Sequence, residues 1–168
     1  MIVINSELVT KVSEEASQSN RKRKNFNFHK KAEDTLQRML NAFEPDTYVR
    51  PHKHENPDKR EVFIVLTGKA LVVEFDKEGK ILKQVVLDQS QGNYAVEIPP
   101  RVFHTIVSLV KGTVMYELKD GPYLVENDKN FATWAPEEGS VNAPDYLKQL
   151  LEKCNLCVNY SGHPDKKI

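Results

Sequence analysis

The sequence lacks the features of a membrane-spanning, secreted or nucleic-acid-binding protein. Its 24 basic and 24 acidic side chains cancel, so no global field favours nucleic acid or an anionic membrane. The longest apolar runs, such as residues 62–66, are far short of the roughly 20 residues that cross a bilayer. No basic segment followed by an apolar stretch opens the chain, so we expect no secretory signal. Only two cysteines are present, Cys154 and Cys157, which argues against a disulfide-stapled fold. We therefore expect a cytoplasmic protein with no nucleic-acid or membrane partner.

Short segments rich in β-branched and aromatic residues do fill the chain from residue 36 onward. Turn signals such as Thr67-Gly68 and Gln91-Gly92-Asn93 separate several of them. The predicted strands are residues 36–43, 48–50, 61–66, 70–75, 81–87, 94–98, 103–109 and 113–118. About eight strands with no intervening helix predict an all-β antiparallel sandwich or barrel.

Helical periodicity appears only near the two ends of the chain. Residues 6–19 and 144–153 each carry an apolar stripe at helical spacing, and a small strand at residues 2–4 is expected before the first helix. We expect one domain: residues 1–35 form an N-terminal helix and loop packed on a barrel of residues 36–120. Residues 121–168 add an irregular aromatic segment and a C-terminal helix.

Three histidines and one glutamate form a candidate metal site. His52 and His54 stand two residues apart, so in a strand both imidazoles point to the same face. Glu61 opens the next apolar run, and His104 follows a proline turn. This set suits one divalent transition metal per chain, and ligand type alone does not choose among Fe, Mn, Ni, Zn and Co.

These residues also resemble a known family. The spacing His52-x-His54, Glu61 and Gly68 is similar to the first cupin motif, and the spacing of Gly92, Pro99 and His104 is similar to the second. The resemblance implies a double-stranded β-helix, or jelly-roll barrel, with the metal bound inside it by His52, His54, Glu61 and His104. The wider runs at residues 44–54, 92–99 and 121–139 resemble the WbuC-type cupin-fold metalloproteins. These are small bacterial proteins associated with O-antigen or other surface-polysaccharide gene clusters.

One spacing departs from the cupin pattern. Six residues separate His54 from Glu61, where three or four are usual. Glu61 is therefore expected either as the fourth ligand or as an acceptor for a histidine N–H beside the metal.

Further polar and aromatic residues are candidates for binding a ligand. Arg50 and Tyr48 share the parity of His52 and are candidates to face a ligand. His29 lies on a segment that resembles a family feature and is expected either to close over the barrel mouth or to be a hydrogen-bonded surface histidine, and Trp134 lies in the aromatic segment that follows the barrel. Further cavity candidates are Tyr94, Tyr116 and Glu117. Trp134 is expected either to plug one end of the barrel or to stack on a sugar or base. Cys154, Cys157 and His163 would need a fourth ligand to bind zinc. A redox pair of cysteines normally lies at the start of a helix, whereas this pair ends one, so neither site is favoured.

Three functions fit this pattern. The first is a metal-dependent enzyme that isomerises or epimerises a small polar metabolite, which the resemblance implies is a sugar or nucleotide-sugar intermediate of bacterial surface-polysaccharide biosynthesis. The second is an Fe(II)-dependent dioxygenase. The third is a non-catalytic cupin that binds or senses a small ligand. A homodimer, with residues 2–4 as a candidate pairing segment, is also expected.

Overall fold

The computed structural model describes residues 1–124 and 128–156. Two helices flank ten strands in the order α1, β1–β10, α2. The bounds are α1 Ser6–Gln18, β1 Arg23–Asn27, β2 Leu36–Phe43, β3 His52–Lys53, β4 Glu61–Thr67, β5 Ala70–Phe75, β6 Ile81–Leu87, β7 Ala95–Ile98, β8 Phe103–Ser108, β9 Thr113–Asp120, β10 Asn130–Phe131 and α2 Ala143–Lys153. Asn5 caps α1 by accepting from the Leu8 N–H.

The strands form two five-stranded antiparallel sheets. Their orders are β1-β2-β9-β4-β7 and β10-β3-β8-β5-β6. Apart from the β5–β6 hairpin, which lies within one sheet, consecutive strands from β2 to β9 alternate between the two sheets, as in a jelly roll. The expected all-β, cupin-type double-stranded β-helix with short terminal helices is confirmed.

The central strands of both sheets are buried on two faces. Between the sheets lies an apolar core that includes Phe63, Val72 and Met115. α1 covers the outside of the first sheet, where Val12 packs with Leu40, and α2 covers the outside of the second. This double burial explains why the strands read as continuous apolar runs and not as clean alternation.

Two of the predicted strands do not form, and two strands form that were not predicted. Residues 48–50 are not a strand, and the chain becomes extended and paired only at His52–Lys53. Residues 2–4 form no strand and lie ahead of α1. β1 and β10 were not expected from the sequence, because β1 is mostly polar and β10 has only two residues, so neither carries a hydrophobic pattern. Cys157 lies outside the described residues. No helix in the described part of the chain is long and apolar enough to cross a membrane.

Two motif glycines offer a matched test of the fold. Gly68 and Gly92 share a positive φ of 77° and 78°, which alanine adopts at a cost of about 1 kcal/mol. A Cβ on Gly68 would lie 2.7 Å from the Thr113 Cα, whereas a Cβ on Gly92 would meet nothing within 4 Å. We expect Gly68→Ala to lower the free energy of unfolding by about 2–4 kcal/mol and Gly92→Ala by about 1 kcal/mol. Urea unfolding of both variants measures this difference, and equal losses would contradict the close approach at Gly68.

Candidate metal centre

Three strands and the residue after one of them bring the predicted cluster together. His52 on β3 pairs directly with His104 on β8, and Glu61 is the first residue of β4. His54 is the residue directly after β3. The ligand-type atoms of His52, His54, Glu61 and His104 all lie within 4.8 Å of one another, and all four side chains are buried.

Backbone carbonyls fix the orientation of each imidazole. Nδ1 of His52 lies 3.0 Å from the Arg50 carbonyl oxygen, and Nδ1 of His104 lies 3.0 Å from the Val102 carbonyl oxygen. Nδ1 of His54 contacts the Asp128 carbonyl oxygen. A carbonyl oxygen only accepts, so each Nδ1 carries the proton. In the neutral rings, each Nε2 therefore presents a lone pair.

Those lone pairs converge on one carboxylate oxygen. Glu61 Oε2 lies 2.9 Å from Nε2 of His104 and 3.2 Å from Nε2 of His54. The buried Nε2 of His52 finds no hydrogen-bond partner among the described residues. Two ligand atoms bonded at right angles to one metal at about 2.1 Å lie about 3.0 Å apart. The spacing, the donor types and the unpartnered nitrogen all fit a single divalent cation.

The charge states of the cluster suit the same ion. Burial lowers the pKa of His52 well below its usual value, and the charge of Lys129 acts in the same direction. Burial alone would raise the pKa of Glu61, but contacts with His104 and His54, in which the imidazoles donate when no cation is bound, and the charge of Lys119 hold it well below its usual range. A neutral imidazole and an ionised carboxylate are the forms that ligate metals.

A buried ion cluster supports His54 from behind. The Asp128 carboxylate accepts hydrogen bonds from Lys59 Nζ at 2.8 Å and from Lys119 Nζ at 2.7 Å. Lys59 is 1% exposed and also donates to the Pro122 carbonyl oxygen at 2.6 Å. These contacts fix residue 128, whose carbonyl oxygen meets His54. Sequence reasoning missed all three residues, because a lysine or aspartate far along the chain carries no local sign of burial.

A cavity of about 520 Å³ opens beside the cluster, within the range of small-molecule sites. His52, Glu61 and His104 form part of its wall, and β1 contributes Arg23, Asn25 and Asn27 from alternate positions. The opposite face of β1 carries Phe26, whose ring lies 5.3 Å from that of Phe28. β1 thus presents a polar face to the cavity.

Glu117 is the buried acid of this cavity. It lines the wall on β9 and accepts a hydrogen bond from Asn41 Nδ2. Burial and the neighbouring Glu61 carboxylate raise the pKa of Glu117 well above its usual value. A buried carboxyl whose pKa is raised by its surroundings is the chemical type of a general acid.

The structure places the four ligand-binding candidates in different regions. His29 lines the cavity, with Nδ1 3.1 Å from the backbone nitrogen and the carbonyl oxygen of Arg38. Arg50, Tyr48 and Trp134 are not part of its lining.

Each of these three side chains is engaged elsewhere. Arg50 donates to the Ala132 carbonyl oxygen. Tyr48 donates to the Pro136 carbonyl oxygen and packs in the core under α2. The Trp134 ring lies 5.2 Å from that of Phe75 and plugs the outer side of the second sheet. Of the other candidates, Tyr94 is 59% exposed and Tyr116 packs beneath α1.

Fold and site together define a class: a jelly-roll barrel of the cupin type with a buried cluster of three histidines and one glutamate that could hold a metal. The chain belongs to the family described as Domain of unknown function (DUF6016), whose sequence profile matches residues 4–87, half of the chain. No curated relative matches the sequence.

Solved structures share the fold at low sequence identity. TT1209 from Thermus thermophilus is 14% identical with a TM-score of 0.51, over 71% of this chain and 97% of that one. A cupin superfamily protein from Desulfitobacterium hafniense DCB-2 is 16% identical with a TM-score of 0.45, over 58% and 76%. The capsular polysaccharide assembling protein CapF from Staphylococcus aureus is 20% identical with a TM-score of 0.46, over 59% of this chain and only 27% of that protein. At these identities the likeness concerns the fold alone.

Proposed function

We propose that this protein binds one divalent transition metal through His52, His54, Glu61 and His104 and acts on a small polar metabolite in the adjoining cavity. The observation that carries the proposal is the convergence of Nε2 lone pairs on Glu61 Oε2. Two acceptor atoms 2.9 Å apart repel unless a proton or a cation lies between them. A single proton can form a hydrogen bond in only one of these contacts. One metal ion can bind the Glu61 carboxylate, both neighbouring histidines and the unpartnered His52 Nε2 at once.

The bound metal would supply Lewis-acid polarisation of a carbonyl or hydroxyl oxygen. The residues of the chain provide the rest of the site. Glu117 stands beside Glu61 with a raised pKa and is suited to hold a proton for transfer to the ligand. Asn41 orients the Glu117 carboxyl by donating to Oε2. This buried acid favours proton-transfer chemistry, such as isomerisation or epimerisation, over a purely ligand-binding role.

We extend the proposal to sugar derivatives. Amide side chains on the cavity wall, Asn25, Asn27 and Asn41, both donate and accept hydrogen bonds, as the hydroxyl groups of a sugar require. A place in bacterial surface-polysaccharide biosynthesis, in the cytoplasm, rests on the resemblance to the WbuC-type cupins. A homodimer belongs to the same proposal.

The first test is elemental analysis of the purified full-length protein. We expect close to one equivalent of a transition metal per chain. Removal of the metal by a chelator should lower the melting temperature, and re-addition should restore it, because a ligand that binds only the folded state stabilises that state. A protein that contains no transition metal, and takes up none on reconstitution, would refute the metal site. Oxygen consumption by the Fe(II)-loaded protein with candidate sugars separates dioxygenase from isomerase chemistry.

A further inference from the structure

Lys129 is the cationic side chain of the cavity that has no ion-pair partner among the described residues. The other lysine and arginine side chains of the lining are engaged. Arg21 and Arg23 both bind Glu138, at 2.8 Å and 2.7 Å, and Lys119 binds Asp128. Lys129 lines the cavity and keeps part of its surface exposed, while burial of the side chain and the charge of Lys119 lower its pKa. The carboxylates of Glu61, Glu117 and Asp128 act on the charge of Lys129, but none of them forms an ion pair with it, so its ammonium can pair with a charged group on a ligand.

Lys129 lines the same cavity as three members of the metal cluster, His52, Glu61 and His104. Its charge acts on both His52 and Glu117, which line the same cavity. A ligand group that reaches the metal position is therefore within the field of this ammonium.

The charge balance of this end of the cavity points to an anion. Lys59, Lys119 and Lys129 are matched by three carboxylates, Glu61, Glu117 and Asp128, even when all three are ionised. A divalent metal then leaves an excess of two positive charges in a largely buried region. In such a region an anionic ligand is attracted more strongly than in water, since few solvent dipoles screen the interaction.

The walls of the cavity indicate what else the ligand carries. Asn25, Asn27 and Asn41 offer amide groups on one side, while Phe131 lies exposed near His52, with ring centroids 6.1 Å apart. A cavity lined both by amide groups and by an exposed aromatic ring suits a small ring compound with hydroxyl groups on its edge.

Resting on the proposed metal-dependent function, we infer that the ligand is an anionic polyhydroxylated molecule whose carboxylate or phosphate group pairs with Lys129 beside the metal. Its hydroxyl groups lie along the asparagines of β1 and β2. The two sources of the anionic group, a sugar acid and a sugar phosphate, share this chemistry and are separated by experiment.

Isothermal titration of the metal-loaded and metal-free full-length protein tests the inference. The probes are D-glucuronate, D-glucose 6-phosphate and neutral D-glucose. We expect one or both anionic probes to bind at least tenfold more tightly than D-glucose. Lys129→Ala should weaken the anionic probe about tenfold to a hundredfold, the usual loss for a charge-assisted hydrogen bond, and should leave D-glucose unchanged. Lys129→Arg should retain most of the affinity, and the better of the two anionic probes identifies the source of the charge.

Lys77→Ala is the matched control, because Lys77 is a surface lysine with an 85% exposed side chain. It should bind every probe as the wild type does. The inference is overturned if D-glucose binds as tightly as the anionic probes, if neither anionic probe binds at millimolar concentration, or if Lys129→Ala binds them as the wild type does. Metal content measured on the same samples keeps this outcome separate from the proposed function. A protein without metal that still binds anions through Lys129 refutes the metal site alone, whereas a metal-loaded protein without anion preference refutes the inference alone.

Discussion

The double variant His52→Ala/His104→Ala is expected to lose its metal and keep its fold. It removes two of the four ligand-type side chains, including the Nε2 that has no partner among the described residues. Binding of a metal by four protein ligands is worth about 10–16 kcal/mol. The loss of two ligands therefore costs several kcal/mol, roughly a thousandfold or more in affinity. Equilibrium dialysis followed by elemental analysis measures this loss.

The fold should survive because the cluster lies at the edge of a solvent-reached cavity. The apolar core between the sheets, with Phe63 and Met115, makes no use of these imidazoles. Circular dichroism of the double variant should match that of the metal-free wild type, with a similar melting temperature. His29→Ala is the control, since His29 lines the cavity outside the cluster, and it should keep its metal. Wild-type metal content in the double variant would show that the four residues are not the ligands.

Asp128→Ala is expected to produce the largest loss of stability. Its carboxylate is the shared partner of two nearly buried ammonium groups, Lys59 and Lys119. Removal of one side of a buried ion pair costs about 3–5 kcal/mol, because the remaining charge is left without compensation. Two stranded lysines place Asp128→Ala at the upper end of that range in the free energy of unfolding. Urea denaturation of the metal-free protein measures it.

Asp128→Ala is also expected to lower the affinity for the metal. Residue 128 meets His54 Nδ1 through its carbonyl oxygen, so loss of the lysine contacts frees the segment that orients this imidazole. Loss of such support typically lowers metal affinity about tenfold to a hundredfold. Metal titration of the folded variant measures this second effect.

Two variants calibrate the result. Asp58→Ala removes a carboxylate that pairs with Arg101 on the surface, where the side chains are 45% and 64% exposed, and it should change stability little. Lys59→Met leaves Asp128 paired with Lys119 and should cost less than Asp128→Ala. If Asp128→Ala unfolds at the same urea concentration as Asp58→Ala, the buried ion cluster does not hold this part of the barrel.

The strands that position the site were predictable because they are local. β2, β5 and β6 begin and end at the predicted residues, since runs of β-branched residues and glycine turns mark them without reference to the rest of the chain. His52 and His54 also carried a clear local signal, a spacing of two beside a proline. The alternative roles of Glu61 could not be separated by spacing, because the path of the loop at residues 55–60 depends on packing. The structure brings Glu61 Oε2 within 3.2 Å of two imidazoles.

Parity failed where the chain is not extended. Arg50 and Tyr48 are separated from His52 by even numbers of residues, but residues 48–50 are not a strand. Side chains alternate between two faces only in an extended strand, so Arg50 and Tyr48 need not point in the same direction as His52. Both sheets are also covered by a helix on the outside, and burial therefore does not distinguish the cavity face from the outer face. Trp134 illustrates this: it is largely buried, but on the far side of the second sheet.

By itself, the sequence determined a chain rich in β-strands, whose ends are marked by glycine turns, with a helix near each terminus. It also determined three histidines whose spacing suits a metal. These features depend on neighbours within a few residues, where steric preference and side-chain alternation act directly. Only the tertiary structure decided what surrounds the histidines. Glu117, Asp128 and Lys129 come from chain segments more than 55 residues beyond Glu61, and their burial, charge state and pairing depend on how the two sheets close on each other.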